Sequence, residues 1–128
     1  MPTLILEGKV FSGEGRGKKY VELPWFKKQT KEKLGLIPYP GTLNVFLNKK
    51  DVEKRRSLET AEGLTIEPKT GYYSGVMHRA TINGVECAVV IPIMPNYPSN
   101  VLEIIASVYL RDSLKLTDGS FVTVIVSV

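Results

Sequence analysis

Histidine, cysteine and tryptophan each occur once in these 128 residues. A lone cysteine excludes a disulfide within the chain, and with a lone histidine it cannot build a Cys/His zinc site. The same scarcity leaves no convincing Cys-His catalytic pair. Cys87 adjoins the apolar run Ala88-Val89-Val90-Ile91 and reads as a small buried hydrophobe. No apolar run approaches the roughly twenty residues of a membrane helix, and no signal-peptide pattern opens the chain. A cytoplasmic protein is the expectation. Also missing are an internal repeat, an obvious linker and the Gly-Lys-Ser/Thr of a P-loop. One domain over residues 1–128 is expected.

What is present is ordinary globular material with a basic tilt. Hydrophobic residues make up 43% and charged residues 23%, which excludes a disordered chain. Seventeen Lys and Arg against thirteen Asp and Glu give a formal charge of +4, which suits a phosphate-bearing partner. The Lys27, Lys28, Lys31, Lys33 cluster also admits a nucleic-acid-binding barrel. It reads more simply as a solvated helix face, and no stacking platform accompanies it, so nucleic acid is not the expected partner. A monomer is expected.

Strand signals dominate. Residues 4–11 are apolar and partly alternating, and 20–23 read as a short strand. Pro24 is placed for a first helical turn, and 25–34 is the best helix candidate, stopped by Gly35. Residues 42–47 form a strand after the Pro38-Tyr39-Pro40-Gly41 turn. The charged stretch 48–56 reads as a solvated loop or short helix. Asn83-Gly84 between 74–82 and 85–92 signals a two-residue type I′ hairpin. The prolines of 92–98 make a restricted loop before a strand at 101–105. Residues 108–114 are a short helix or irregular, and Thr117-Asp118-Gly119 is a turn. Residues 121–128 carry apolar side chains on both faces, as in a strand buried on both sides. Many short strands with one or two short helices predict an all-β, closed or nearly closed barrel.

Three constellations carry possible chemistry. In Gly13-Glu14-Gly15-Arg16-Gly17 the glycines allow close backbone approach, so N–H groups can converge on an anion, with Lys18 and Lys19 adding charge. No helix obviously opens from the third glycine, so a phosphate would lie between two barrel strands; a plain flexible hairpin loop fits the spacing equally. Thr42 and Asn44 point to one face of a strand and offer two neutral hard oxygens suited to Mg²⁺; alone, they are ordinary strand polar residues. Glu103 sits in an apolar run that would raise its pKa toward that of a general base, and Arg111 is suited to phosphate charge. A Glu103–Arg111 surface pair is the plainer alternative.

In order and spacing these segments resemble the archaeal CTP-dependent riboflavin kinase family. The matching stretches are 8–17, 38–44, 88–92, 102–106, Leu110-Arg111 and 117–119, so the resemblance runs from about residue 4 to about residue 126. Residues 48–73 carry none of it, and the loop before Ser99 departs in its prolines. The resemblance implies a six-stranded cradle-loop (RIFT-type) barrel. It implies γ-phosphoryl transfer from CTP to the ribityl 5′-hydroxyl of riboflavin, giving FMN and CDP. By position, Glu14, Gly15, Arg16, Gly17, Lys18 and Lys19 would wrap the nucleotide, and Val108, Tyr109, Leu110 and Arg111 would complete its pocket. Thr42 and Asn44 would hold Mg²⁺, and Ser99 and Glu103 would meet the flavin. Apart from the resemblance, Glu103 is the expected catalytic carboxylate, orienting the flavin hydroxyl and taking its proton.

Overall fold

In β1 (Thr3–Phe11) every second side chain turns inward, with Leu6 and Val10 buried and Glu7 and Lys9 facing out. A computed structural model describes residues 2–128, and this strand is its centre. It pairs on one side with β2 (Leu43–Leu47) and on the other with β7 (Phe121–Ser127). The remaining strands are β3 (Leu64–Ile66), β4 (Gly75–Ile82), β5 (Val85–Pro92) and β6 (Val101–Ile105). Antiparallel pairing runs β4-β5-β6-β2-β1-β7, and β7 returns to β4 to close a six-stranded barrel. Closure uses only Ala80↔Val126 and Thr81↔Ile125. The other end of β4's edge is taken by β3, through Leu64↔Met77 to Ile66↔Gly75, so neither half is left open.

Asn83 and Gly84 both take positive φ, 49° and 80°, as the type I′ turn between β4 and β5 requires. The barrel interior holds one apolar cluster, including Leu6, Val45, Val89, Leu102, Ile104, Val124 and Val126. A second cluster lies on the barrel's outer face. There Ile66, Met77, Ala88, Val90 and Ile105 meet Val21 of α1 (Arg16–Val21) and Phe26 and Leu34 of α2 (Pro24–Leu34). Two helices thus roof β3 to β6, and β5 is buried on both faces.

Several expectations change. The expected strand at 20–23 is the end of α1 and the turn after it. Gly15, at φ 84°, reverses the chain after β1 so that α1 starts at Arg16 and turns Val21 into the second cluster. β7 alternates rather than burying both faces; Phe121 and Ile125 are exposed because no helix covers that side. Helices are more numerous than expected, with α3 (Val52–Ser57) and α4 (Leu110–Ser113) joining α1 and α2. The stretch before and through α3 is not wholly solvated. Asp51 Oδ2 accepts the Glu7 backbone N–H at 2.8 Å, and Arg55 Nε donates to the Val101 carbonyl at 2.8 Å. No helix among the described residues is long and apolar enough to cross a membrane.

Candidate active site

On the roofed outer face, β2 and β6 place Asn44 directly opposite Glu103. Thr42, two residues before Asn44, falls on the same side. Its Oγ1 lies 3.0 Å from Asn44 Oδ1 and 3.3 Å from Glu103 Oε1. A hydroxyl carries one proton, so the three oxygens converge with too few hydrogens to satisfy every lone pair. That donor set suits a small hard cation whose other ligands are water or phosphate. No group of three or more His, Cys, Asp or Glu able to hold a metal occurs among the described residues.

The glycine loop folds onto this trio. A Cβ on Gly13 would strike the Asn44 amide, and one on Gly17 would strike the Thr42 hydroxyl. Only glycine lets the backbone come so close. The segment runs from the end of β1 into the first turn of α1, which opens at Arg16. A helix therefore does open at its third glycine, and it does not lie between two strands as the sequence suggested. Its base is clamped by Arg111, whose Nη2 donates to the Phe11 carbonyl (3.2 Å), Ser12 Oγ (3.3 Å) and Asp118 Oδ1 (2.8 Å). Ser12 Oγ in turn donates to Asp118 at 2.9 Å. Arg111 first, and Ser12 second, hold the Asp118 carboxyl below its ordinary pKa. The ion-pair partner of Arg111 is therefore Asp118, not Glu103.

Two cavities meet at Thr42. The larger, about 600 Å³, opens between the helical roof and the sheet. Its walls include Tyr20, Phe26, Ile66, Tyr72, Tyr73, Val90, Tyr97, Glu103 and Ile105. Of its aromatic walls, Tyr20 and Tyr72 pack tilted 6.2 Å apart and are backed from outside the cavity by Trp25, edge-on at 5.7 and 5.3 Å. The smaller cavity, about 70 Å³, lies under Tyr39, Pro40, Val108, Tyr109, Leu110 and Arg111. Tyr39 and Tyr109 stack at its rim, 5.0 Å apart.

Residues 10–126 match a family model designated CTP-dep_RFKase and described as a domain of unknown function, DUF120. The chain is 40% identical over 127 residues to the riboflavin kinase of Ignicoccus hospitalis, covering 96% of this chain and 71% of that protein. It belongs to the riboflavin kinase family. Two further relatives are also riboflavin kinases. That of Archaeoglobus fulgidus is 44% identical over 126 residues, 95% of this chain and 54% of its own. That of Pyrobaculum aerophilum is 45% identical over 126 residues, 95% of this chain and 60% of its own. The chain thus spans little more than half the length of several curated relatives.

The family barrel brings together most of the residues singled out in the sequence. Thr42, Asn44 and Glu103 form one cluster; Gly17 and Lys19 sit on the wall of the larger cavity, and Val108 to Arg111 line the smaller. Glu14 and Arg16 are exposed and pair with each other at 3.1 Å, although Arg16 also reaches the larger cavity's rim. Lys18 is exposed, and Ser99 lies in an exposed turn outside both cavity walls, whereas Tyr97 and Pro98 line the larger one. The sequence neighbours of Glu103 do not supply the apolar setting expected of it. Those neighbours, Leu102 and Ile104, face the barrel interior, while Glu103 faces the hydroxyls of Thr42 and Tyr97.

Sequence reasoning missed Tyr97, Tyr20, Tyr72 and Tyr73. Tyr97 donates its hydroxyl to Glu103 Oε2. Burial first, then the Glu103 charge and that hydrogen bond, push the Tyr97 phenol far up, so it stays a donor. Burial, Glu103 and Tyr72 together push Tyr20 up to about 12. The only linear signal for Tyr72 and Tyr73 was an aromatic pair following Gly71 in a stretch that carried no resemblance.

Proposed function

We propose that this chain is the catalytic domain of a CTP-dependent riboflavin kinase. It would transfer the γ-phosphoryl group of CTP to the ribityl 5′-hydroxyl of riboflavin, giving FMN and CDP. The observation that carries the reading is the meeting of two cavities at Thr42, under a glycine loop packed on Thr42 and Asn44. The larger, aromatic-walled cavity has the size and lining of a small-molecule site and suits an isoalloxazine ring. The smaller one, about 70 Å³ and rimmed by the Tyr39–Tyr109 stack, is too small to enclose a whole nucleotide and would take only part of one, the rest lying along the glycine loop. The cytidine preference rests on the family designation.

Phosphoryl transfer needs alignment and charge neutralisation more than covalent help. Amides of the 13–17 loop, with Lys18 and Lys19, would hold the phosphates. Thr42 Oγ1 and Asn44 Oδ1 would hold Mg²⁺, which supplies charge neutralisation to the phosphates when bound. Glu103 would accept a hydrogen bond from the ribityl hydroxyl and take its proton as the oxygen attacks Pγ. The new bond joins the ribityl oxygen to Pγ. The Pγ bond to the bridging oxygen breaks, and CDP leaves with that electron pair.

The test is incubation with riboflavin, Mg²⁺ and either CTP or ATP, followed by separation of FMN. FMN from CTP and little from ATP is expected. Thr42→Ala and Asn44→Ala should each remove most turnover; full activity in both would sink the metal assignment, and no FMN with any nucleotide would sink the reading.

A further inference from the structure

We propose that Tyr97, backed by Arg55, is a positioning residue that fixes the Glu103 carboxylate toward the reacting hydroxyl. The proposal rests on the reading of Glu103 given above. A glutamate carboxylate turns readily about its last torsion, which is broad and two-fold. Here its two oxygens have different partners: Oε1 faces Thr42 Oγ1 at 3.3 Å, and Oε2 accepts the Tyr97 hydroxyl. Tyr97 is the firm anchor on one oxygen, and the Thr42 hydroxyl, whose single proton is shared with Asn44, is the weaker one on the other; together they restrict that rotation. They leave the remaining lone pairs of Oε1, on the Thr42 side where the two cavities meet, for the substrate.

Tyr97 is itself held in a way its loop alone would not provide. Pro95 and Asn96 make a turn in which Asn96 takes φ 62°, aiming the next residue inward. Behind the ring lies Arg55, only 1% exposed, with its guanidinium carbon 5.3 Å from the ring centroid. Arg55 is anchored through Nε to the Val101 carbonyl at 2.8 Å and through Nη1 to Glu59 at 2.9 Å. Its Nη2 is buried with no hydrogen-bond acceptor among the described residues. The face of an aromatic ring is a favourable partner for such a buried cation. A chain of contacts thus runs from α3 through Arg55 and Tyr97 to Glu103, and ends at Thr42 and Asn44.

Tyr97→Phe keeps the ring on Arg55 and removes only the anchor. Wild type, Y97F, E103Q and the double variant are assayed for FMN formation, with riboflavin affinity read by flavin fluorescence and folding by thermal denaturation. Y97F should lower kcat roughly 10- to 100-fold, the range for losing one hydrogen bond to a charged group. KM for riboflavin and for CTP should stay within about twofold. In the E103Q background the same substitution should add less than about twofold, because the group it positions is already disabled. An unchanged kcat, a loss confined to KM, or an equal loss in the E103Q background overturns the proposal. So does a Y97F protein that no longer folds, which would make Tyr97 a structural residue. Wild type that forms no FMN overturns the underlying reading, a different result from an active wild type with an indifferent Y97F.

Discussion

Gly17 bears on function through what it lacks. It sits in the first turn of α1, where alanine would ordinarily favour the helix by about 0.5–1 kcal/mol. Its missing Cβ is also the space that the Thr42 hydroxyl occupies. Thr42 is β-branched and stiff at χ1, so displacement of its side chain pulls Oγ1 away from Asn44 and Glu103. Gly17→Ala should therefore leave the melting temperature within a few degrees of wild type while lowering kcat/KM by about tenfold or more. Steady-state kinetics beside a thermal melt checks this, and a fully active G17A would show that the loop does not set Thr42. Spacing put Thr42 and Asn44 on one strand face, and the resemblance, not spacing, grouped them with Glu103; the structure brings the three side chains together. Tyr97 was not legible in the sequence, because a loop with three prolines has no periodicity from which to read the direction of a side chain. The apolar neighbours of Glu103 misled for the opposite reason: alternation along β6 sends them to the other face.

At the scale of elements, the end of β1, the α4 helix and the turn before β7 are joined by one cluster, Arg111–Asp118–Ser12. The clamp should show as a pH-dependent contribution to stability. Asp118 has its pKa depressed below 3.8, chiefly by its hydrogen bond with Arg111, so folding favours the ionised carboxylate. That contribution is fully present above the unfolded value and fades as pH falls through the folded one. Asp118→Asn should accordingly be less stable than wild type at neutral pH, and the gap should close below about pH 3.8. Asp118 is exposed and Arg111 only half-buried, so the difference will be small. Urea midpoints of both proteins from neutral to acid pH check it; a gap independent of pH would mean that Asp118 acts through something other than its charge. The elements themselves were mostly readable, with α2 marked by Pro24 and Gly35 and the β4–β5 turn by Asn83-Gly84. The α1 helix was not, because four residues of mixed polarity at 20–23 satisfy a strand as well as a helix. Only Gly15 and the packing of Val21 against the sheet decide between them.

For the whole molecule, what matters is that the candidate site lies on the outer face of the barrel. Strand composition made a closed barrel legible, but not the second apolar layer. Which outer strands are roofed depends on where α1 and α2 pack, through Val21, Phe26 and Leu34, and that is long-range information. The roof is also a wall of the larger cavity, since Tyr20, Val21, Leu23 and Phe26 line it. A flavin bound there would touch roof and sheet at once, coupling occupancy to the roof's attachment. Ligand at about 100 times its Kd adds about 2.7 kcal/mol to the unfolding free energy. The local signature should be more specific than that total. Amide exchange in the presence of riboflavin should slow most in α1, α2 and the 67–74 segment, whose Gly71, Tyr72 and Tyr73 face the same cavity. The inner strands, already secured by the barrel core, should change less. Protection concentrated instead around Tyr39 and 106–111 would put riboflavin in the smaller cavity and reverse the assignment of the two sites.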